Sequence, residues 1–393
     1  MTEPGTFAMI PALHGEPPLV ELLDELAQQE RDAFVDEGGL GALFVRAEDC
    51  ERMLTDRRFG AVAMKLLAFS GVTEGPLHDL WATLMFGKDG DEHRRIRAAA
   101  AGFFTRGGVE RYRAGVTSHA GALAAALPEG PFDLWDEFAL PLASRAACAT
   151  IGVSASDEAE FSAWSLDLVA AFGVMTPDAR EQAESAAVRL CAYLDDLFAR
   201  SQGRPGDDLL SAILANPDLT YQEKRGLALN VAMGGLDAMA KAITTGTLQL
   251  LERGMWRALA DSPDLMNTAV DELLRLFPAT ILIPRVAMEP VHYGGVDVQP
   301  GQMALCSLRS ACQDPALFER PTELDIRRPA GKPFVFGAGP HFCLGAHLAR
   351  VVIGAGLRAL LARAPALRLA DGGADVRWGG APFYGVERLL VQH

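Results

Sequence analysis

The sequence predicts a mainly α protein with a small β portion. Apolar residues recur at three- and four-residue spacing over most of the 393 residues, the pattern of helices that bury one face. Short β-like runs are few and lie toward the two ends of the chain and after residue 280. No internal repeat or long low-complexity linker breaks the pattern. One domain over residues 1–393 is therefore expected, with a flexible N-terminal segment to about residue 15.

The helical stretches, in order, are residues 17–36, 91–104, 116–127, 133–151, 156–173, 178–202, 220–260, 262–277 and 344–364. Pro177, Pro205, Pro217, Pro263 and Pro278 fall near their boundaries, where proline is tolerated. Asp157, Asp178 and Thr220 suit N-cap or first-turn positions, because a short oxygen-bearing side chain accepts from the free amides there. The β-like runs cover 42–45, 286–298, 303–307 and 386–391, and the pairs Gly294–Gly295 and Gly379–Gly380 mark turns among the later ones. Residues 203–208 and 371–375 read as short polar loops containing glycine.

A hydrophobic content of 49% allows a large core. No run reaches the roughly 18–20 apolar, uncharged residues that cross a bilayer. The opening Met-Thr-Glu-Pro-Gly-Thr has neither the basic nor the apolar region of a signal peptide. A cytoplasmic protein with no membrane segment is the expectation. The net charge of −15 argues against general nucleic-acid binding, which needs a basic footprint. The six cysteines, Cys50, Cys148, Cys191, Cys306, Cys312 and Cys343, show no CxxC spacing and no zinc or iron–sulfur pattern.

Residues 336–345, Phe-Gly-Ala-Gly-Pro-His-Phe-Cys-Leu-Gly, carry the strongest functional signal. Cys343 sits among Gly337, Gly339, Pro340 and Gly345. Glycines that take positive φ let backbone amides point at a thiolate and keep bulk away from it. A buried free cysteine in a glycine-rich turn is common, but it does not explain the spacing Phe-x-x-Gly-x-x-x-Cys-x-Gly. The segment resembles the heme-binding loop of the cytochrome P450 family.

That resemblance covers roughly residues 15 to 393 and implies a helical prism with a small β region. It makes Cys343 the axial ligand of the iron in heme b (iron protoporphyrin IX), within a loop that includes Phe336, Gly337 and Gly345. Glu272 and Arg275, at i and i+3 in Asp-Glu-Leu-Leu-Arg, match the family's structural Glu-x-x-Arg pair. The basic residue that often joins this pair is replaced by Glu323, leaving Arg320, Arg327 or Arg328 as substitutes. His93, Arg97, Arg285 and His341 match positions that bind the anionic heme propionates, for which arginine's fork is well suited. Arg94 and Arg95 are expected to face outward.

Gly234 and Gly235 stand inside a helical pattern, at a cost of about 1 kcal/mol each against alanine. Missing side chains let a flat macrocycle and a diatomic ligand approach the backbone, or let the helix open locally. Close helix–helix contact explains them equally well. In the family this segment is the oxygen-binding helix, and Asp237 fits its acid, a candidate proton relay. The usual threonine is Ala238. Thr244 and Thr245 lie nearly two turns later and do not simply replace it. The threonine hydroxyl helps hold the water that delivers protons during oxygen activation. Its absence implies that coupling of electrons to product depends on the bound substrate.

The family's substrate contacts fall at residues 61–88, expected to form a mobile lid, near Phe172 and the loop to about 180, at Met233, at Thr280, Ile281 and Leu282, and at Pro382 and Phe383. Trp81, Phe86 and Phe69 are candidate cavity aromatics, and Thr280 and Asn230 candidate hydrogen-bonding groups. The reading is a monomeric monooxygenase that inserts one atom of O2 into a medium-sized apolar or aromatic small molecule. Electrons would come from a separate ferredoxin and ferredoxin reductase, steered by Arg94, Arg106, Arg111, Arg113 and Arg350. A peroxide-dependent or non-oxygenating heme–thiolate enzyme (coupling, desaturation) is the alternative, and a heme-based ligand binder or sensor the non-enzymatic one.

Overall fold

The computed structural model describes residues 5–7, 19–29, 31–202, 206–329, 331, 334–380 and 383–393. Of the expected features, Pro205, Pro382 and most of the N-terminal segment lie outside these residues. Helices dominate, as the apolar spacing predicts. The 178–202 pattern is the helix Pro177–Ser201; Thr176 caps it by accepting from the Ala179 amide, and Pro177 fills its first turn. Thr220 opens Tyr221–Met233 with a capping box. Its hydroxyl accepts from the Glu223 amide while the Glu223 carboxylate accepts from the Thr220 amide. Asp157 stands at the N-cap of Glu158–Val169 without capping it; its carboxylate accepts from the Tyr193 hydroxyl at 2.9 Å.

Three helical patterns resolve differently. Residues 17–36 are helical only over Leu19–Gln28, while Ala33–Asp36 is a strand paired with Gly41–Phe44. Periodicity over so few residues is weak, and pairing across the turn at Gly39, φ 73°, decides the conformation. Residues 133–151 begin as a π turn, Trp135–Ala139, before the α-helix Leu140–Ile151. Residues 220–260 divide into Tyr221–Met233, Leu236–Glu252 and Trp256–Ala260, with the first break at Gly234–Gly235. The helices Ala47–Thr55, Ala63–Phe69, Pro76–Trp81 and Leu209–Ala215 are too short to print a periodic signal.

A six-stranded sheet runs in the order Gly5–Phe7, Ala33–Asp36, Gly41–Phe44, Met303–Ser307, Leu282–Ala287, Phe59–Gly60. Antiparallel pairing with Met303–Ser307 sets Arg285 opposite Ala304. A second sheet centres on Gly385–Gln392, flanked by Arg368–Leu369 and Val376–Gly379. Gly294 and Gly295, φ 55° and 79°, make the tight turn of the Val291–Tyr293 and Val296–Val298 hairpin.

The Leu236–Glu252 helix is buried along nearly its whole length. It lies against Leu140–Ile151, Ala346–Arg363 and the Gly385–Gln392 strand. Among the described residues, one helical segment, Gly339–Arg363, is long and apolar enough to cross a membrane. Here it packs against Glu110–Ala126 and Met266–Leu276 as a core helix. The two central helices leave a cavity between the start of Leu236–Glu252 and the loop that carries Cys343.

Candidate active site

The cysteine loop is built from 3-10 turns at Phe334–Phe336 and Gly339–His341, and it runs into the Ala346–Arg363 helix. Gly337 and Gly339 take φ of 73° and 70°. A Cβ on Gly339 would stand 2.5 Å from the Leu54 carbonyl oxygen, so that position needs glycine for space as well as for φ. The Cys343 amide donates to the Phe336 carbonyl at 2.9 Å, closing the loop. Gly345 departs from the expectation of positive φ, at −84°. Its backbone amide bonds to the Cys343 side chain instead. A Cβ there would meet nothing within 4 Å, which leaves the space beside the sulfur open.

Cys343 is exposed, but its exposure is to a cavity of about 410 Å³. Burial from bulk water pushes its thiol up; the Gly345 amide, Arg97 and Arg350 pull in the opposite direction. His93, Arg97, Arg285 and His341 all line the same cavity. The rings of His93 and His341 lie 4.1 Å apart, and His341 Nε2 is 3.1 Å from Asp89 Oδ1. Arg97 Nη2 donates to the Phe342 carbonyl at 2.7 Å, and Arg285 Nη1 to the Pro284 carbonyl at 3.0 Å.

The two arginines bring the positive charge here, and Asp89, beside His341, acts on Arg285 from the other side. Among the described residues no carboxylate lies within ion-pair distance of Arg97 or Arg285. Burial pushes both guanidiniums below their ordinary values. Burial, then the His341 and Arg97 charges, holds His93 down to about 4, and its buried Nδ1 has no hydrogen-bond partner. An orphaned His93 nitrogen, two arginines without ion pairs among the described residues, an open thiol and a side-chain-free face at Gly345 together fit a flat group with anionic arms.

Behind the loop, Glu272 and Arg275 form a buried bidentate pair at 2.7 and 2.8 Å. Arg328 is the third member: its Nε donates to Glu272 Oε1 at 3.0 Å. Arg320 instead pairs with the exposed Glu323, the residue that displaced the usual base. Burial alone would raise the Glu272 carboxyl; Arg275, the Asp325 amide and Arg328 outweigh it and hold it below the usual range.

The cytochrome P450 family model matches residues 255–363. Nocardicin C N-oxygenase of Nocardia uniformis subsp. tsuyamanensis is 33% identical over 347 residues, spanning 86% of this chain and 85% of that protein. This chain is a cytochrome P450. The 6-deoxyerythronolide B hydroxylase of Saccharopolyspora erythraea is 32% identical, with 86% of this chain and 84% of that protein covered. The solved structure of the tirandamycin C-bound P450 monooxygenase TamI matches with a TM-score of 0.84 at 30% identity, covering 99% of this chain and 100% of that one. As a P450 the protein is an oxidoreductase of the monooxygenase type that uses heme and O2.

On the wall opposite Cys343, the P450 places Gly234, Gly235, Ala238 and Met239 on the cavity surface. Asp237 is not among the lining residues. Its carboxylate turns away and accepts from Lys241 Nζ at 2.9 Å. Thr244 and Thr245 are both engaged elsewhere: Thr244 donates to the Val386 carbonyl at 2.5 Å, and Thr245 accepts from the Val386 amide at 3.0 Å.

The remaining walls correct parts of the sequence reading. Trp81, Phe86, Phe172 and Phe383 line the cavity together, with ring centroids 4.7 to 5.8 Å apart between neighbours. Thr280, Leu282 and Asn230 line it too. Ile281 does not; the chain is extended there, so alternate residues face opposite ways and Ile281 enters the core under the six-stranded sheet. Met233 also faces the core, because the wall is formed by Asn230, Val231 and Gly234 from the other side of its helix. Phe69 is exposed, beneath the Lys65 ammonium. The basic patch is largely neutralised. Arg94 pairs with Asp91, Arg113 with Glu110 at 2.7 Å, and Arg350 with Asp271 at 2.6 Å while covering the Phe336 ring. Arg111 lies over Phe103 and donates to the Asp207 carbonyl, and Arg106 is exposed. Arg95, expected on the surface, ties its helix to Glu223. Asp89, the partner of His341, gave no sequence signal; the pair meets only through the fold.

Proposed function

We propose that this P450 is a heme–thiolate monooxygenase with Cys343 as axial ligand and heme b as its cofactor. The carrying observation is the cavity itself, in which an open thiol shares its walls with Arg97 and Arg285, neither in an ion pair among the described residues, and with His93, whose Nδ1 has no partner. His93, Arg97, Arg285 and His341 would hold the propionates by charge-assisted hydrogen bonds, and Phe336, Gly337 and Gly345 would shape the ligand loop. When bound, heme supplies O2 activation and the insertion of one oxygen atom into substrate. The chain's own residues bind and orient. Trp81, Phe86, Phe172, Leu282 and Phe383 offer an apolar, largely aromatic surface suited to a medium-sized apolar or aromatic molecule, with Thr280 and Asn230 as polar contacts. Electrons would come from a separate ferredoxin and reductase in the cytoplasm. With most of the basic patch already paired, charge steering of such a partner would be weak.

The test is a titration of the ferric protein with a small-molecule library, followed at the Soret band. Apolar or aromatic ligands should shift it toward the high-spin form; a response confined to small polar molecules would contradict the substrate class.

A second reading, peroxide-dependent turnover, is favoured by Ala238 together with the engagement of Thr244 and Thr245 by the C-terminal strand. Without a hydroxyl at 238, substrate must help to order the proton-delivering water. Ala238→Thr should lower hydrogen peroxide release and make turnover less substrate-dependent. Unchanged turnover and leakage would defeat this account of Ala238.

A further inference from the structure

Asn230, near the end of the Tyr221–Met233 helix, joins that helix to the aromatic wall of the cavity. Its Oδ1 accepts from the Phe86 amide at 3.3 Å. That contact fixes the orientation of the side-chain amide, because only its oxygen can accept from a backbone N–H. Nδ2 is therefore turned the other way. Among the described residues it has no hydrogen-bond partner. An ideal Cβ on Gly234 would stand 3.8 Å from it, and Asn230 and Gly234 both line the cavity. Two N–H donors thus stand at the cavity wall unused.

The frame around these donors is tight. One helical turn before Asn230, a Cβ on Gly226 would stand 2.6 Å from the Thr83 carbonyl oxygen, so the segment that carries Phe86 is pressed onto the helix there. The contacts Gly226–Thr83 and Asn230–Phe86 together set where the Asn230 amide points. The Phe86 ring stands beside it, 5.2 Å from Trp81 and 4.7 Å from Phe172. Such a wall favours flat aromatic ligands in offset or edge contact. The cavity's basic residues are committed to the propionates in the heme–thiolate reading, so an anionic ligand group at Asn230 would lack a counter-ion of its own. A carbonyl oxygen needs none. Its two lone pairs match the two Nδ2 protons, and it brings no hydrogen that must find an acceptor.

We propose that Asn230 is a specificity-determining residue of this P450, and that its substrates are flat aromatic molecules bearing a carbonyl group (ketone, lactone or amide) that accepts from Asn230 Nδ2. The rings lie against Trp81, Phe86 and Phe172 while the carbonyl is held at the helix. Asn230 precedes Ala238 by eight residues, roughly 12 Å along the course of the helix. The anchored carbonyl therefore sets which edge of the substrate is presented at Ala238, and one regioisomer dominates the product.

The inference rests on the heme–thiolate reading and narrows its substrate class; its readouts are binding and spectroscopy, not turnover. The probes are fluorenone and fluorene, which share one flat aromatic frame and differ only in a carbonyl. Isothermal titration calorimetry of the holoenzyme gives the ratio of their affinities. Asn230→Leu should lower the fluorenone-to-fluorene ratio about fivefold, as expected for one neutral hydrogen bond, while fluorene itself binds within about twofold of wild type, a change smaller than one such bond. Isotope-edited infrared spectroscopy reads the same contact on the ligand. The carbonyl stretch of bound fluorenone should lie below its position in an apolar solvent in wild type, and return toward that position in Asn230→Leu. An unchanged affinity ratio overturns the proposal, as does a lowered stretch that survives Asn230→Leu. Failure of both probes to bind overturns the flat aromatic class. Should Asn230→Leu not fold, the wild-type stretch decides alone: a lowered stretch supports the contact, and a stretch at the apolar-solvent position overturns it. Absence of the thiolate-type carbon monoxide band in wild type would instead mark failure of the heme–thiolate reading, while leaving the calorimetric and infrared results standing.

Discussion

The two sides of the cavity are built differently. The Cys343 side is made of backbone and basic side chains: positive-φ glycines, a closed loop, a neutral His93, and Arg97 and Arg285, which have no ion pair among the described residues. The opposite side is made of aromatic side chains drawn from three separate segments, with one ion cluster behind it. The first side is suited to holding one rigid anionic group in one pose. The second can be rebuilt residue by residue without disturbing that hold. The difference explains how one architecture keeps its cofactor chemistry while changing its substrates.

Substitutions should divide along the same line, and the largest effects belong to the cysteine side. Cys343→Ala should reduce monooxygenation to background and remove the thiolate signature from the spectrum, as read by turnover and absorption. Next, Glu272→Ala should leave the buried Arg275 and Arg328 unpaired, costing about 3–5 kcal/mol. Thermal unfolding should show a large fall in midpoint, accompanied by loss of bound heme. Arg97→Ala removes a charge-assisted donor worth about 1.5–3 kcal/mol. It should speed heme transfer to an acceptor protein by roughly ten- to a hundredfold while leaving the fold intact. On the aromatic side, Phe172→Ala should weaken apolar ligands by about 1 kcal/mol in Soret titration, with heme content unchanged. If Phe172→Ala also released heme, the two sides would not be independent.

The smallest effect concerns pH. The Glu223 carboxyl is held down to about 2 from an ordinary 4.5, chiefly by its Arg95 partner. Its folded value lies below its unfolded one, so its contribution to stability is present above about 4.5 and is lost as pH falls toward about 2. Glu223 joins Tyr221–Met233 to the helix bearing His93 and Arg97, one strut between the two sides. Glu223→Gln should flatten the acid limb of the stability profile between those values, and leave neutral-pH heme content close to wild type.

The same contrast governs what could be read from sequence. The cysteine side was legible because its chemistry is local and its residue types are uncommon in such spacing. Cys343, Gly337 and Gly339 sit in one loop, and His93 and Arg97 sit one helical turn apart. The choice of Arg328 as third partner of Glu272 was not, because three arginines lie close in sequence and only the folded loop selects among them. The aromatic side was legible in part. Trp81, Phe86, Phe172 and Phe383 meet as expected, whereas Met233 and Ile281 face the core. Which face of a helix or strand meets a cavity depends on tertiary placement, and periodicity cannot tell a cavity from a core. The Asp237–Lys241–Glu387 cluster was half visible: Asp237 and Lys241 stand four residues apart on a helix, but Glu387 joins them only through strand packing.

The central claim is that the cavity holds heme with Cys343 as its thiolate ligand. The most direct measurement is the absorption spectrum of the reduced protein under carbon monoxide. The account predicts a strongly red-shifted Soret band, lost in Cys343→Ala. A band at the position of a neutral-ligand heme in freshly purified, fully folded protein would contradict it.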